Sequence, residues 1–241
     1  CGIEIMRLLI LGDIHGELRE NREKLLELIQ NNKNKNNIDF VIQVGDLGFY
    51  EAMPIPSYFI FGNNENFDVI DAMLRGETAF ENLKLIRSGE TVLLRKGSST
   101  LALSGLGGNH APNYFNLKRE ELIGDRRRHF VVEEVQRCLS LANIDIFLSH
   151  EAPSGLIRRR GYDVGVPHIT NILKTVRPRY FFSGHHHEFA YRRIENTECY
   201  SLDVASKEYL IYDSKSDAVR KIESTGKEVA LQRQARLSFF G

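Results

Sequence analysis

The sequence predicts an α/β fold, on three observations. Apolar runs at residues 8–11, 40–44 and 58–61 are short and continuous, as strands covered on both faces are. Each run ends abruptly in glycine followed by a polar side chain: Gly12-Asp13, Gly45-Asp46 and Gly62-Asn63. Segments with helical spacing of apolar residues separate several of the runs, and α/β sheets bind ligands beyond the carboxyl ends of their parallel strands.

The first run closes with Gly12-Asp13-Ile14-His15-Gly16. Asp13 and His15 are two apart, so on an extended segment they project to one side. Taken alone, the segment fits a metal site or a plain turn with a capping Asp and a surface His. Residues 17–30 carry a helical pattern in their later part, and the Asn/Lys run 31–37 reads as a polar surface loop. A helix is expected over 66–74, β structure over 83–97 and 99–103, and a flexible Gly-rich loop from Gly105 to Arg128. Helices follow over 130–142 and 166–176, with strands at 145–149 and 180–183. These strands end in His150 and in Gly184-His185-His186-His187. Residues 189–212 alternate as three short strands, broken near Asn196 and Ser206. The charged tail, 214–241, has weak periodicity and is taken as a C-terminal extension of a single domain spanning 1–241.

The composition narrows the function classes. Lys plus Arg and Asp plus Glu both number 32, so net charge gives no case for general nucleic-acid or membrane binding. The three cysteines form neither a disulfide framework nor a zinc knuckle, which suits a reducing compartment. No segment approaches bilayer length, and residues 1–5 are too short for a signal peptide. A cytoplasmic protein with no membrane partner is the expectation.

The strand ends collect Asp13, His15, Asp46, Asn63, His150, His185 and His187. Two carboxylates, one amide oxygen and four imidazoles suit Mn, Fe, Zn, Ni or Co, and are too nitrogen-rich for calcium. Seven ligands exceed one tetrahedral site and suit two divalent ions sharing a carboxylate. Such a pair, about 3.5–4 Å apart, polarises a phosphoryl oxygen and activates a bridging water for attack on phosphorus.

The motif series Gly-Asp-x-His-Gly (12–16), Gly-Asp (45–46), Gly-Asn-x-Glu (62–65), Ser-His-Glu (149–151) and Gly-His-x-His (184–187) resembles the calcineurin-like metallophosphoesterase superfamily. The resemblance covers residues 8 to about 212 and preserves the motif order. It implies two mixed β-sheets packed as a sandwich and flanked by helices. It also implies a dinuclear site, with Asp13, His15 and His187 on one ion and Asn63, His150 and His185 on the other. Asp46 would bridge them, His186 would be a spacer pointing away, and His129 and His168 would lie outside the site. The family's third motif usually has His where Asn64 stands here, near the leaving-group oxygen. Asn donates a hydrogen bond but delivers no proton, so Asn64 is a catalytic-site departure that disfavours poor leaving groups. His110, in the Gly-rich loop, is the one substitute proposed for the missing acid, in contact with substrate, and a loop His with no contact to substrate is the alternative.

Two further comparisons set the expected substrate. Protein serine/threonine phosphatases follow the second motif with Asp-Arg-Gly, whereas this chain continues Leu47-Gly48-Phe49-Tyr50, without the arginine. Gly16-Glu17-Leu18, Gly107-Gly108, 149–153 and 182–185 faintly resemble lariat-debranching RNA phosphodiesterases. The arginine triplets 126–128 and 158–160 border the expected site and could steer a polyanion, although solvated charge is the commoner meaning of such runs. The expected function is a metal-dependent phosphoesterase, with manganese the leading ion, acting on phosphodiesters such as nucleotides or nucleic acid. The alternatives are a scaffold that keeps the fold with weakened catalysis, and a phosphomonoesterase or protein phosphatase.

Overall fold

The structure is a computed structural model that describes residues 4–229 and 231. The chain begins with β1 (Arg7–Leu11), α1 (Arg19–Asn36), β2 (Phe40–Gln43), β3 (Ser57–Phe59), α2 (Phe67–Arg75) and β4 (Leu83–Leu85). The hairpin β5 (Val92–Lys96) and β6 (Ser99–Leu106) leads to α3 (Val132–Leu139) and β7 (Ile146–Ser149). A small hairpin of β8 (Arg158–Arg159) and β9 (Tyr162–Asp163) precedes α4 (Pro167–Val176) and β10 (Tyr180–Ser183). Then come β11 (Ala190–Ile194), β12 (Thr197–Ser201), β13 (Glu208–Asp213), β14 (Ala218–Glu223) and β15 (Glu228–Val229).

Two large mixed sheets result, ordered β15-β14-β13-β1-β2-β3-β4 and β11-β12-β10-β7-β6-β5. In the first, β1 to β4 run parallel; in the second, β6, β7, β10 and β12 do. Alternation along each strand sorts the core into three layers. Leu8 and Ile10 of β1 meet Ile146 and Leu148 of β7 and Phe182 of β10 between the sheets. Leu9 and Leu11 turn the other way, onto Leu25 and Ile29 of α1 and near Ile70 of α2. Phe147 and Phe181 face Val135 and Cys138 of α3 and Ile169 and Ile172 of α4. Strands apolar on both faces therefore build a helix–sheet–sheet–helix stack.

Two local expectations need correction, and the tail, left open by its sequence, acquires strands. The run 31–36 is not a loop but the last turns of α1. Its amides pair along the helix, Asn36 Nδ2 donating to Asn32 Oδ1 at 2.7 Å and Gln30 Nε2 to Asn34 Oδ1 at 3.3 Å. Asn37, in the left-handed region at φ 52°, stops it. The stretch after Gly105 is tied down rather than loose. The N–H of Asn109 donates to Arg128 O at 3.0 Å, and that of Phe130 to Asn109 O at 3.1 Å. The tail adds β14 and β15 to the edge of the first sheet. Val219 packs between the sheets and Ile222 on the helix side, so one apolar residue serves each face and no simple alternation is visible. Residues 230 and 232–241 of that tail lie outside the described residues.

Candidate metal centre

The strand ends deliver the predicted side chains to one place. Asp13 and His15 follow β1, Asp46 follows β2, Asn63 follows β3, His150 follows β7, and His185 and His187 follow β10. His15, Asp46, His185 and His187 all have left-handed backbone, at φ 52°, 58°, 66° and 48°. Such conformations are costly for side chains larger than glycine, and they cluster where function holds them. Two glycines clear the space. A Cβ on Gly62 would strike Asp46 Oδ1, and one on Gly184 would strike Asp13 Oδ1.

Ligand atoms converge in two groups, Asp13–His15–His187 and Asp13–Asp46–His150, each within 4.8 Å of one another. The first group is the trio assigned to one ion from the motifs. The second places Asp13 beside Asp46 between the two groups, and Asn63 joins it through His150. His185 falls in neither group. Its N–H donates to Asp13 Oδ1 at 3.0 Å, its ring lies 4.9 Å from that of His150, and its Nε2 is 3.9 Å from Glu151 Oε1. His186, the expected spacer, is buried, and its Nε2 has no hydrogen-bond partner among the described residues.

The donor set fits divalent cations on two observations. Asp13 and Asp46 are each 1% exposed, and two buried carboxylates side by side need compensating charge. His150 Nδ1 lies 3.0 Å from Val44 O, so Nδ1 carries the proton and donates it there. In the neutral, metal-binding form of the ring that leaves Nε2 as an acceptor facing the acceptor Asn63 Oδ1 at 2.9 Å, whereas the charged ring donates there. Lone pairs facing at this distance repel unless a cation or proton lies between them. His15 Nε2 and His187 Nε2 approach to 3.3 Å, and His187 Nε2 also lies 2.8 Å from Asp13 Oδ2, so the three side chains of the first group already meet.

The titrations follow from this charge pattern. Burial opposes ionisation of Asp13, yet the bond from His187 (Nε2–Oδ2 2.8 Å), helped by the charge of His150, brings its pKa below the usual carboxylate value. Burial also opposes the charge on His150, but Asp13 and Asp46 push its pKa up. Burial and the neighbouring His150 hold His185 down to about 4.

Asn64 does not point at open space. Its N–H donates to Asp46 Oδ1 and its Nδ2 to Asp46 Oδ2, both at 2.7 Å. His110 is less exposed than its loop suggests. Its ring lies against Phe130, Phe115 and His168, with centroids at 5.7, 5.4 and 5.0 Å. Burial and His168 lower its pKa. Its backbone N–H donates to Glu151 Oε2 at 2.9 Å, and burial pushes the Glu151 carboxyl up to about 7. His129 and His168 lie outside both ligand groups.

Motif reading assigned no role to four residues around the site. Glu65 accepts from the N–H groups of Leu47, Gly48 and Gly62 (3.0, 3.0 and 3.2 Å), and Tyr50 OH donates to it. Glu151 stands beside His185, and Arg159 donates to the carbonyl of His186. Glu65 and Glu151 were visible as the acids ending two motifs; nothing in the sequence flags Tyr50 or Arg159 individually.

Comparison with known sequences now bears on this arrangement. The profile of the calcineurin-like phosphoesterases matches residues 6–189. The chain belongs to the calcineurin-like phosphoesterase family. A lariat debranching enzyme from Entamoeba histolytica is 23% identical over 231 residues. That match covers 76% of this chain but 64% of the relative's length. Among solved structures, TT1561 of Thermus thermophilus superposes with a TM-score of 0.62 at 13% identity, covering 92% of this chain and 100% of the other. GAP50, described as the anchor in the inner membrane complex of Plasmodium, gives 0.59 at 10% identity, over 97% of this chain and 90% of its own. At these identities the structural neighbours establish the fold alone. Members of the calcineurin-like phosphoesterase family use divalent metals, in keeping with the donor set described above.

Proposed function

We propose that this protein hydrolyses phosphodiesters at a centre of two divalent ions, with manganese the first to test. The observation that carries this reading is the pair of convergent ligand groups, Asp13–His15–His187 and Asp13–Asp46–His150, with Asn63 Oδ1 2.9 Å from His150 Nε2. Asp13, His15 and His187 would hold one ion, and Asp46, His150 and Asn63 the other, with Asp13 between them and His185 adjacent. When bound, the ions supply positive charge for a phosphoryl oxygen and a water of lowered pKa.

The chain's own groups do the rest. Val44 O fixes the His150 tautomer, and Asn64 holds both oxygens of Asp46. Asn64 has no proton to give a departing alkoxide, so the reading favours leaving groups that depart as stable anions. The relative named as a lariat debranching enzyme supports phosphodiesters over phosphoproteins, as does the lack of an arginine after the second motif. No helix among the described residues is long and apolar enough to cross a membrane.

A second reading, an anchor or scaffold with weakened catalysis, draws on Asn64 and on the neighbour described as an anchor. Bis-p-nitrophenyl phosphate separates the two, because its leaving group needs little protonation. The phosphodiesterase reading expects Mn²⁺-dependent release of p-nitrophenolate that chelator stops and Asp46→Asn abolishes. Bound metal without turnover would leave the scaffold.

A further inference from the structure

The two arginine triplets differ in what their charges meet. In the first, Arg127 bonds Asp68 and Asp71 of α2 at 2.8 and 2.9 Å, and Arg128 lies 3.3 Å from Asp125. Arg126 lies over the ring of Tyr114, 5.1 Å from its centroid. In the second, none of Arg158, Arg159 and Arg160 forms an ion pair among the described residues. These three are exposed on the small hairpin. The only acid on that hairpin, Asp163, is occupied by the backbone N–H groups of Gly155 and Gly165, at 2.8 and 3.0 Å.

The hairpin also has a fixed position and an aromatic surface. Arg160 and Gly161, at φ 51° and 84°, form its two-residue turn in the left-handed region, which matches the twist of the flanking strands. Arg159 reaches back to the carbonyl of His186, between His185 and His187, and so docks the hairpin on the candidate metal centre. Tyr162 pairs with Arg159 across the hairpin, on the same face, and is 77% exposed. Tyr162 left in water on a hairpin whose Arg158 and Arg160 meet no acid among the described residues is the composition of a surface for nucleic-acid strands.

We propose that the 158–163 hairpin is a binding arm for single-stranded polynucleotides, with Arg158 and Arg160 on backbone phosphates and Tyr162 stacked on an unpaired base. This rests on the phosphodiesterase reading and names its substrate class. The chain as a whole has balanced charge, so attraction to a polyanion is local to this arm. A planar guanidinium matches phosphate geometry, and a stacking ring needs a base free of its duplex, which selects single strands.

The test measures binding by fluorescence anisotropy with the full chain in Mn²⁺. The probes are phosphorothioate oligonucleotides of roughly ten nucleotides, a length within single-strand site sizes. RNA and DNA versions distinguish the two sources of the same backbone. Arg158→Ala with Arg160→Ala is expected to raise Kd about ten-fold and to flatten the slope of log K against log salt by about 0.7 per arginine. Tyr162→Ala is expected to raise Kd about ten-fold for single strands with no change in slope. It should leave duplex binding unchanged. Unaltered Kd and slope in the arginine variant would overturn the arm, as would polyglutamate binding as tightly and with the same arginine dependence. Turnover of bis-p-nitrophenyl phosphate is followed in parallel. Loss of turnover in the unmodified protein, with arginine-dependent binding retained, would count against the hydrolase reading and leave the arm standing. Normal turnover with arginine-independent binding would do the reverse.

Discussion

Asn64 shows how one side chain can change a site's chemistry while leaving its frame intact. Its amide holds Asp46 Oδ2 at 2.7 Å, so it contributes to the placement of a buried carboxylate and has no proton for a leaving group. Restoring an acid should matter only where departure is difficult. Asn64→His is expected to raise turnover of alkyl phosphodiesters by about 10²-fold or more, with little change for p-nitrophenyl esters. Comparing kcat on the two leaving groups checks this. An equal change on both would mean that position 64 acts through Asp46 alone. The departure itself is legible in the sequence, because it breaks a short motif. The bond to Asp46 is not, since it joins turns 18 residues apart in the chain.

At the scale of elements, the turns after β2 and β3 are braced by Glu65. It gathers the N–H groups of Leu47, Gly48 and Gly62 and the hydroxyl of Tyr50, whose ring lies near Phe59 and Phe80, with centroids at 6.2 and 6.4 Å. Tyr50→Phe is expected to cost about 1–3 kcal/mol, the loss of one bond to a carboxylate in a buried setting. Glu65→Ala should cost more, because it strands three N–H donors as well. Urea unfolding measures both, and near-zero values would mean that water replaces the carboxylate. The strands carrying these turns are legible because an apolar run with a glycine stop is a local pattern. Residues 31–36 show the limit of such patterns. Their composition reads as a loop, but helix formation is cooperative and the preceding turns, with Leu25 and Ile29 buried, carry the helix through them.

At the scale of the molecule, both sheets feed one site, with Asp13, His15, Asp46 and Asn63 from the first and His150, His185 and His187 from the second. An ion held by both sheets favours the folded state. At 100 times its Kd, Mn²⁺ is expected to add about 2.7 kcal/mol and raise Tm in the unmodified protein, with a much smaller shift in Asp46→Asn. Thermal melts with and without chelator read this directly. An early and a late strand of the first sheet are also tied together, with Arg7 at the start of β1 donating to Asp213 at the end of β13 at 2.7 Å. Burial raises the Asp213 pKa, but the Arg7 bond and the N–H groups of Lys215 and Ser216 outweigh it and leave the pKa lowered. A carboxyl lowered in the folded state adds stability above its unfolded value, near 3.8, and loses it as pH falls through the folded one. Asp213→Asn should therefore cost about 1 kcal/mol at pH 7, and the gap to the unmodified protein should close below pH about 4. Denaturation midpoints across that range check the sign.

The sequence by itself determined the buried strands, the motif order and the seven side chains brought to the strand ends, because each is written in a few neighbouring residues. Only the tertiary structure decided that Asp13 lies between both ligand groups, that His185 stands outside them, and that Glu65 clasps two turns. It also decided which arginine triplet is neutralised, since the acids that meet Arg127 are 59 and 56 residues away in the chain. Apolar periodicity is a local signal of which face is buried. The partner of a polar group depends on which distant segments that burial brings together.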